Sequence, residues 1–337
     1  MITKRILTYC FLLFFIFFIA CNKKANKIEP EPISPPATKP SIFSQVFTTS
    51  NSGLPDNFIN DIEIVGAIKK IATNNGLALF DGTNWTILNT SNSSLPSNIV
   101  HFVKTNGLIT WIATDNGLVS YDGASMIIYK SQNSPLPSNR IRSLEFDNAG
   151  KLWIGTFSGG GLVGFDGVTW EVFTPANSDL PNNSVSVIKK DTNGKLWLGT
   201  ASGFSVFDGV TFTNFNPSNS SLPNPSVFSI VHDANNVAWI GTNGGLTRFD
   251  GVNWQNFTMQ NSGLPLNLVH SITLKTTNEI YIGMAGQGLA LFNYSNNTWT
   301  HYNTNNSNLP NNFITDVSIA IDNVVWIATE NGIALKE

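Results

Sequence analysis

Two histidines occupy the same place in a repeated stretch of this 337-residue chain. His101 stands five residues past Pro96 and His270 five residues past Pro265, each proline closing an Asn-Ser-x-Leu-Pro run. Imidazole is the side chain whose charge changes near neutral pH, so a His pair at one repeat position suggests a shared ligand or metal contact, or proton exchange. The same position holds Asn60, Arg142, Ser186, Phe228 and Thr315 in the other copies. A second variable position, just after the Thr or Met of a later segment, reads Asn74, Asp115, Phe157, Ala201, Asn243, Ala285 and Glu330. Where otherwise matching copies disagree, a repeat protein can carry a specific surface. The spacing therefore nominates Asn60, His101, Asp115, Arg142, Phe157, Phe228, His270 and Glu330 as the rim of a ligand-binding mouth. The competing reading of His101 and His270 is two partly exposed strand residues, because the sequence fixes no carboxylate beside either.

The elements that would position these residues follow from the repeat itself. Asn-Ser-x-Leu-Pro recurs seven times, its prolines at 55, 96, 137, 181, 223, 265 and 310, in steps of 41, 41, 44, 42, 42 and 45 residues. A period in the low forties with strand-like content indicates propeller blades, and no segment has the apolar period of a solenoid helix. Each copy divides into four pieces. An apolar strand such as "IRSLEFD" from Ile141 is followed by a turn such as "DNAGK", then by "LWIGT" from Leu152. A short loop ending in Gly leads to a third strand such as "GLTRFDG" from Gly245, whose Asp-Gly predicts a two-residue hairpin. A fourth strand opens on an aromatic residue, as in "NWQNFT" from Asn253. The last copy lacks its fourth strand, while "SIFSQVFTTS" is left over ahead of the first motif with the fourth-strand register. Phe47 lies eight residues before Pro55, as Phe173, Phe215, Phe257 and Tyr302 lie eight before theirs. The fold expected is all-β: a seven-bladed β-propeller of four antiparallel strands per blade, closed by the N-terminal strand completing the last blade.

Most of the remaining conspicuous residues read as architecture. All nine Trp fall at repeat positions in second or fourth strands, where packing between blades explains them. Asp81, Asp122, Asp166, Asp208 and Asp250 each precede Gly and read as turn formers. The runs at Asp147 and Asp191 lack the further carboxylates of a calcium loop. Leu54 and its six counterparts are expected to plug the gaps between blades. No catalytic set, metal site or cofactor motif is assembled by the sequence.

The units "LWIGTFSGGGLVGFDG" from Leu152 and "AWIGTNGGLTRFDG" from Ala238 resemble the two-component regulator propeller repeat. The resemblance spans about Ser41 to Glu337, and it implies extracytoplasmic ligand-sensing propellers, often paired and fused to a membrane helix and histidine kinase. This chain shows one ring and none of those attachments, so signalling would have to pass through a partner. In outline the chain is also similar to propellers of the streptogramin lyase type, in which His101 or His270 with Glu330 or Asp115 could supply a base and metal ligands. No motif of that family is matched residue by residue. A third reading is a structural or secretion-associated envelope scaffold.

The N-terminal residues speak to location. Lys4 and Arg5 precede an apolar run from Ile6 to Ala20, which reads as a signal peptide over residues 1–20. Phe18-Ile19-Ala20-Cys21 resembles a bacterial lipobox, making Cys21 the lipidated residue; an ordinary cleavage site beside a chance Cys is the alternative. Residues 21–40 are rich in Pro and charge and read as a tether, leaving 41–337 for the propeller. Cys10, the only other Cys, lies within the signal, so the mature chain would form no disulfide. With 19 basic and 22 acidic residues and a net charge of −3, the chain offers no nucleic-acid footprint. The expectation is a monomeric domain held in the cell envelope by lipid, at the outer membrane on its periplasmic or external side. Its partners would be a glycan, a peptide or an envelope protein.

Overall fold

The computed structural model describes residues 39–337. The signal sequence, Cys21 and the tether as far as Thr38 lie outside the described residues, and among those described no helix is long and apolar enough to cross a membrane. The rest forms seven four-stranded antiparallel sheets. In blade three the strands run Ile141–Phe146, Leu152–Thr156, Leu162–Phe165 and Trp170–Phe173, from the inner edge outward. These bounds match the pieces read from the sequence. Second strands are buried along their whole length in blades three, four, five and seven, because each is flanked by a neighbouring sheet on either face.

The seventh blade is shared between the two ends of the domain. Ile314–Ile319, Val325–Thr329 and Gly332–Lys336 are joined by Gln45–Phe47 as the outer strand, with Gln45 opposite Leu335 and Phe47 opposite Ile333. Closure extends upstream of that strand. Asn308 donates to the Phe43 carbonyl and accepts from its N–H, both at 2.9 Å, while the Phe43 side chain is fully buried.

The recurring motif is a self-contained hydrogen-bond unit. Asn51 accepts from the Thr48 N–H at 2.7 Å and donates to the Val46 carbonyl at 2.9 Å; Ser52 donates to the Thr48 carbonyl. The corresponding Asn and Ser make the same three bonds in all seven copies, for instance at Asn219 and Ser220. The motif leucines, Leu54 to Leu309, are 1–5% exposed and plug the blade junctions as expected. One bond fails for a traceable reason. The last Asn of the motif accepts from the N–H one residue past the outer strand's bonded end, as Asn57 does from Thr49 and Asn267 from Met259. In the fourth copy that residue is Pro175, which has no N–H, and Asn183 Oδ1 is left buried without a partner. In the fifth copy Pro217 removes the same donor, and Pro225 replaces the acceptor too.

A stitch not anticipated from sequence ties one blade to the next at six of the seven junctions. The glycine opening the third strand donates its N–H to the following motif: Gly76 to Asn98 at 2.7 Å, and Gly332 to Asn57 at 2.7 Å across the closure. Gly76 has a φ of 118°, and a Cβ there would lie 2.4 Å from the Leu88 carbonyl oxygen. The position therefore admits only glycine without strain.

The Asp-Gly turns depart from the expected two-residue hairpin. Phe80 pairs with Trp85, so four residues, Asp81 to Asn84, form the loop. The Asp81 carboxylate accepts from the N–H groups of Thr83 and Asn84, and this side-chain bonding stabilises a longer turn than Asp-Gly alone selects. The Thr169 hydroxyl and two backbone N–H groups hold the Asp166 carboxyl down at about 2, and backbone N–H groups with the Thr211 and Asn253 side chains do the same for Asp208 and Asp250. Indoles at the start of the outer strand stack across this turn, Trp170 on Phe165 at 4.0 Å and Trp254 on Phe249 at 4.1 Å. The hairpin aspartates at 147 and 191 accept the indole N–H of Trp153 and Trp197, which confirms them as turn anchors.

Candidate functional site

Each inner strand starts with a register shift, seen between Ile59 and Asp61 in blade one and between Ile141 and Ser143 in blade three. The bulge re-aims successive side chains toward the axis. All seven residues five past the motif prolines, Asn60 through Thr315, line one central cavity of about 910 Å³. Asn74, Asp115 and Glu330 join them from the second variable position. Phe157 does not line it. In blade three the second-to-third loop is longer, running through Ser158 with a φ of 63°, and it carries Phe157 outward to 41% exposure beneath the Arg140 guanidinium, 5.1 Å from the ring.

His101 and His270 line the same cavity but have different partners, with no bond between them. Around His101, blades two and three build a relay. Arg140 Nε donates to Asp115 Oδ1 at 2.7 Å, the same oxygen lies 3.2 Å from His101 Nε2, and Arg142 Nη1 lies 3.2 Å from His101 Nδ1. Arg142 can only donate, so Nδ1 must be the acceptor and Nε2 must carry the proton given to Asp115. A carboxylate therefore does stand beside one histidine; the sequence could not show it because Asp115 arrives from the neighbouring loop. Burial lowers the His101 pKa, Arg142 lowers it further, and Asp115 offsets only part of this. Neutral imidazole thus acts as a positioning group for Arg142.

His270 adopts the opposite tautomer. Its Nδ1 lies 3.3 Å from the Thr315 carbonyl and must donate there, leaving Nε2 as an acceptor with no protein partner among the described residues. The ring lies parallel to Phe228 at 5.7 Å and meets the edge of Phe313 at 5.3 Å, forming an aromatic wall on blades five to seven. Burial, and then the charge of Arg142, hold His270 neutral, against the pull of the Thr315 bond.

One residue deeper lies a pair that sequence reasoning passed over. Asp61 and Asp316, six past their prolines on blades one and seven, accept the N–H groups of Val103 and Ile62; Asp61 is buried and Asp316 half-buried. Ser143 and Ser229 do the same for Ile188 and Ile272, so the position is a blade-to-blade fastener, and serine shows that no charge is needed. Burial raises both carboxyls, Asp61 well above its ordinary value, with the charge of Asp316 adding to it; Lys189 pulls both the other way. An acid with a raised folded pKa favours the fold at low pH and loses that contribution as pH rises through the raised value. Asp61→Asn keeps an acceptor for Val103 and removes the buried charge. It is expected to raise stability at neutral pH by about 1–2 kcal/mol, about 3–6 °C in thermal midpoint, with the gain shrinking toward pH ~4. Paired melting curves at the two pH values test this, and an equal gain at both would remove the electrostatic cause.

Among the described residues no cluster of three His, Cys, Asp or Glu could hold a metal ion. The comparison with known families rests on three segments: residues 135–158, 179–202 and 221–244 match the model described as "Two component regulator propeller". Three of the seven blades match this repeat. Each matched segment of these propeller repeats runs from the Leu-Pro connection through the inner and second strands of blades three, four and five. No curated protein matches the chain. The ring superposes on an extracellular domain from B. thetaiotaomicron, described as part of the hybrid two component system BT3049, with a TM-score of 0.74 and 23% identity. That match covers 88% of this chain and 42% of the other. PorZ, described as a surface component of the type-IX secretion system of Porphyromonas gingivalis, gives 0.68 at 17% identity, covering 83% and 46%. Virginiamycin B lyase from Staphylococcus aureus, solved with quinupristin, gives 0.69 at 14%, covering 86% and 97%. The chain spans about two fifths of the two-component system domains. At these identities the likeness is one of fold.

Proposed function

We propose that the propeller is an extracytoplasmic binding module whose ligand or partner docks at the motif-side mouth of the channel. The observation that carries this reading is convergence: all seven residues of the first variable position and three of the second meet in one cavity, whose volume lies in the range of small-molecule sites. Kinship with extracellular sensing domains supports it, as do the signal sequence and the lipobox at Cys21. Signalling or uptake from such a module would need machinery other than the propeller blades.

Neither histidine has the arrangement of a general base. His101 has both ring nitrogens engaged, and His270 has no carboxylate partner. The geometry therefore favours binding over the lyase-type chemistry that a propeller of this outline can also house. Thr315→Trp tests the assignment, because the Thr315 hydroxyl has no hydrogen-bond partner and its loss costs none. In a binding screen against envelope extracts and glycan and peptide arrays, the variant is expected to lose every ligand that the wild-type chain retains while melting within a few degrees of it. Retention of those ligands by a folded Thr315→Trp chain would place the binding surface elsewhere.

A further inference from the structure

Counting which polar groups at the mouth are already spent narrows the ligand. Asn60 Nδ2 bonds Asn74 and the Val100 carbonyl, and the Ser186 hydroxyl bonds the carbonyls of Gly199 and Val227. Arg140 is taken by Asp115. Lys189 lies deeper in the bore than this rim, eight residues past Pro181, beside the level of Asp61 and Asp316. Two groups remain. Arg142 gives one N–H to His101 and makes no ion pair within 4.0 Å among the described residues, so a forked cation faces the channel with donors to spare. His270 Nε2 is an acceptor with nothing to accept from.

Both line the one cavity, Arg142 from blade three and His270 from blade six, and the aromatic wall of Phe228 and Phe313 adjoins the latter. A guanidinium fork matches a carboxylate, an unengaged imidazole nitrogen matches a hydroxyl, and an aromatic face matches the C–H face of a saturated ring. Glu330 lines the same cavity and would repel a second negative charge. We propose that the mouth takes a small hydroxylated monocarboxylate of the sugar-acid class. Its carboxylate sits on Arg142, a hydroxyl on His270 Nε2, and its ring against Phe228. This deepens the assignment of the mouth as the binding site and rests on it.

Calorimetric titration of the whole chain with D-glucuronate, D-galacturonate and D-gluconate, beside D-glucose and the dicarboxylate D-glucarate, tests the class. At least one monocarboxylate is expected to bind roughly 10- to 100-fold more tightly than glucose, the worth of a charge-assisted pair of hydrogen bonds, and more tightly than glucarate. Arg142→Gln is expected to erase the preference over glucose, and Arg142→Lys to retain only part of it, with thermal midpoints confirming that both variants fold. A preference that survives in Arg142→Gln, or no monocarboxylate preference in the wild type, overturns the proposal. If neutral or cationic ligands bind instead and Thr315→Trp abolishes them, the mouth remains the site and the carboxylate assignment fails.

Discussion

Cutting the chain back to Thr48 is expected to cost it the closed ring and its monomeric state together. Without Gln45–Phe47 the strand Gly332–Lys336 becomes an open edge, and the sheet offers unpaired N–H and C=O groups to other copies. The loss is also one of core. Phe43 is fully buried among Leu289, Leu309, Ile314 and Val317, and Phe47 lies within 6 Å of Phe80, Trp85 and Trp326, so both side chains bridge blades. Phe43→Ala alone should cost about 3–5 kcal/mol, a large part of the ~5–15 kcal/mol that holds a typical domain together. Denaturant titration and light scattering on the truncated and point-substituted chains give the readout. A truncated chain that stays monomeric and melts cooperatively within a few degrees of the intact one would show that closure depends on something other than this strand.

The second large effect is expected at the motif leucines. Leu222 is 2% exposed and packs with Trp197, Val227, Ile230 and Ile240 at the junction of blades four and five. Shortening it to Ala leaves a cavity between two rigid sheets that have little room to collapse, at a cost of about 2–5 kcal/mol. Ser220→Ala, two residues away, removes the hydroxyl that donates to the Asn216 carbonyl and accepts from the Leu222 N–H, and should cost about 1 kcal/mol. Neither change touches the channel, so ligand affinity measured well below the midpoint should be unaltered. A Leu222→Ala chain of near wild-type stability, or one that binds differently while folded, would mean the motif does more than join blades.

How far the sequence could be read depended on whether a residue's partners lie within its own repeat. The motif bonds of Asn51 and Ser52 close within five residues, so seven copies of the same letters reliably signal seven copies of the same turn. The outer-strand register of Phe47 could be read for the same reason. Partners supplied by a neighbouring blade left no such trace. The variable position nominated His101 and Arg142, yet not the bond between them, since one comes from blade two and the other from blade three. Asp61 and Asp316 meet across the closure, 255 residues apart by number, and nothing local marks two inner-strand carboxylates as neighbours. Phe157 was misplaced because lengthening of its loop changes direction as well as length. Arg140 was missed because it sits two residues before the variable position, in a place that Phe58, Ile99 and Phe313 fill in other copies.

The shared seventh blade has a topological corollary. Leu335 and Gln45 are cross-strand neighbours, so the two ends of the described ring meet at a place that every other blade spans with a four-residue turn such as Asp-Gly-Val-Thr. Geometrically the ring is a circle with one nick, and the nick could sit in any of seven equivalent hairpins without changing a single packing contact. Which blade counts as the first is therefore a property of the reading frame and not of the folded molecule. A circularly permuted gene, opened at the turn after Phe165 and joined from Lys336 to Ser41 so that Phe43 is kept, would encode the same mouth.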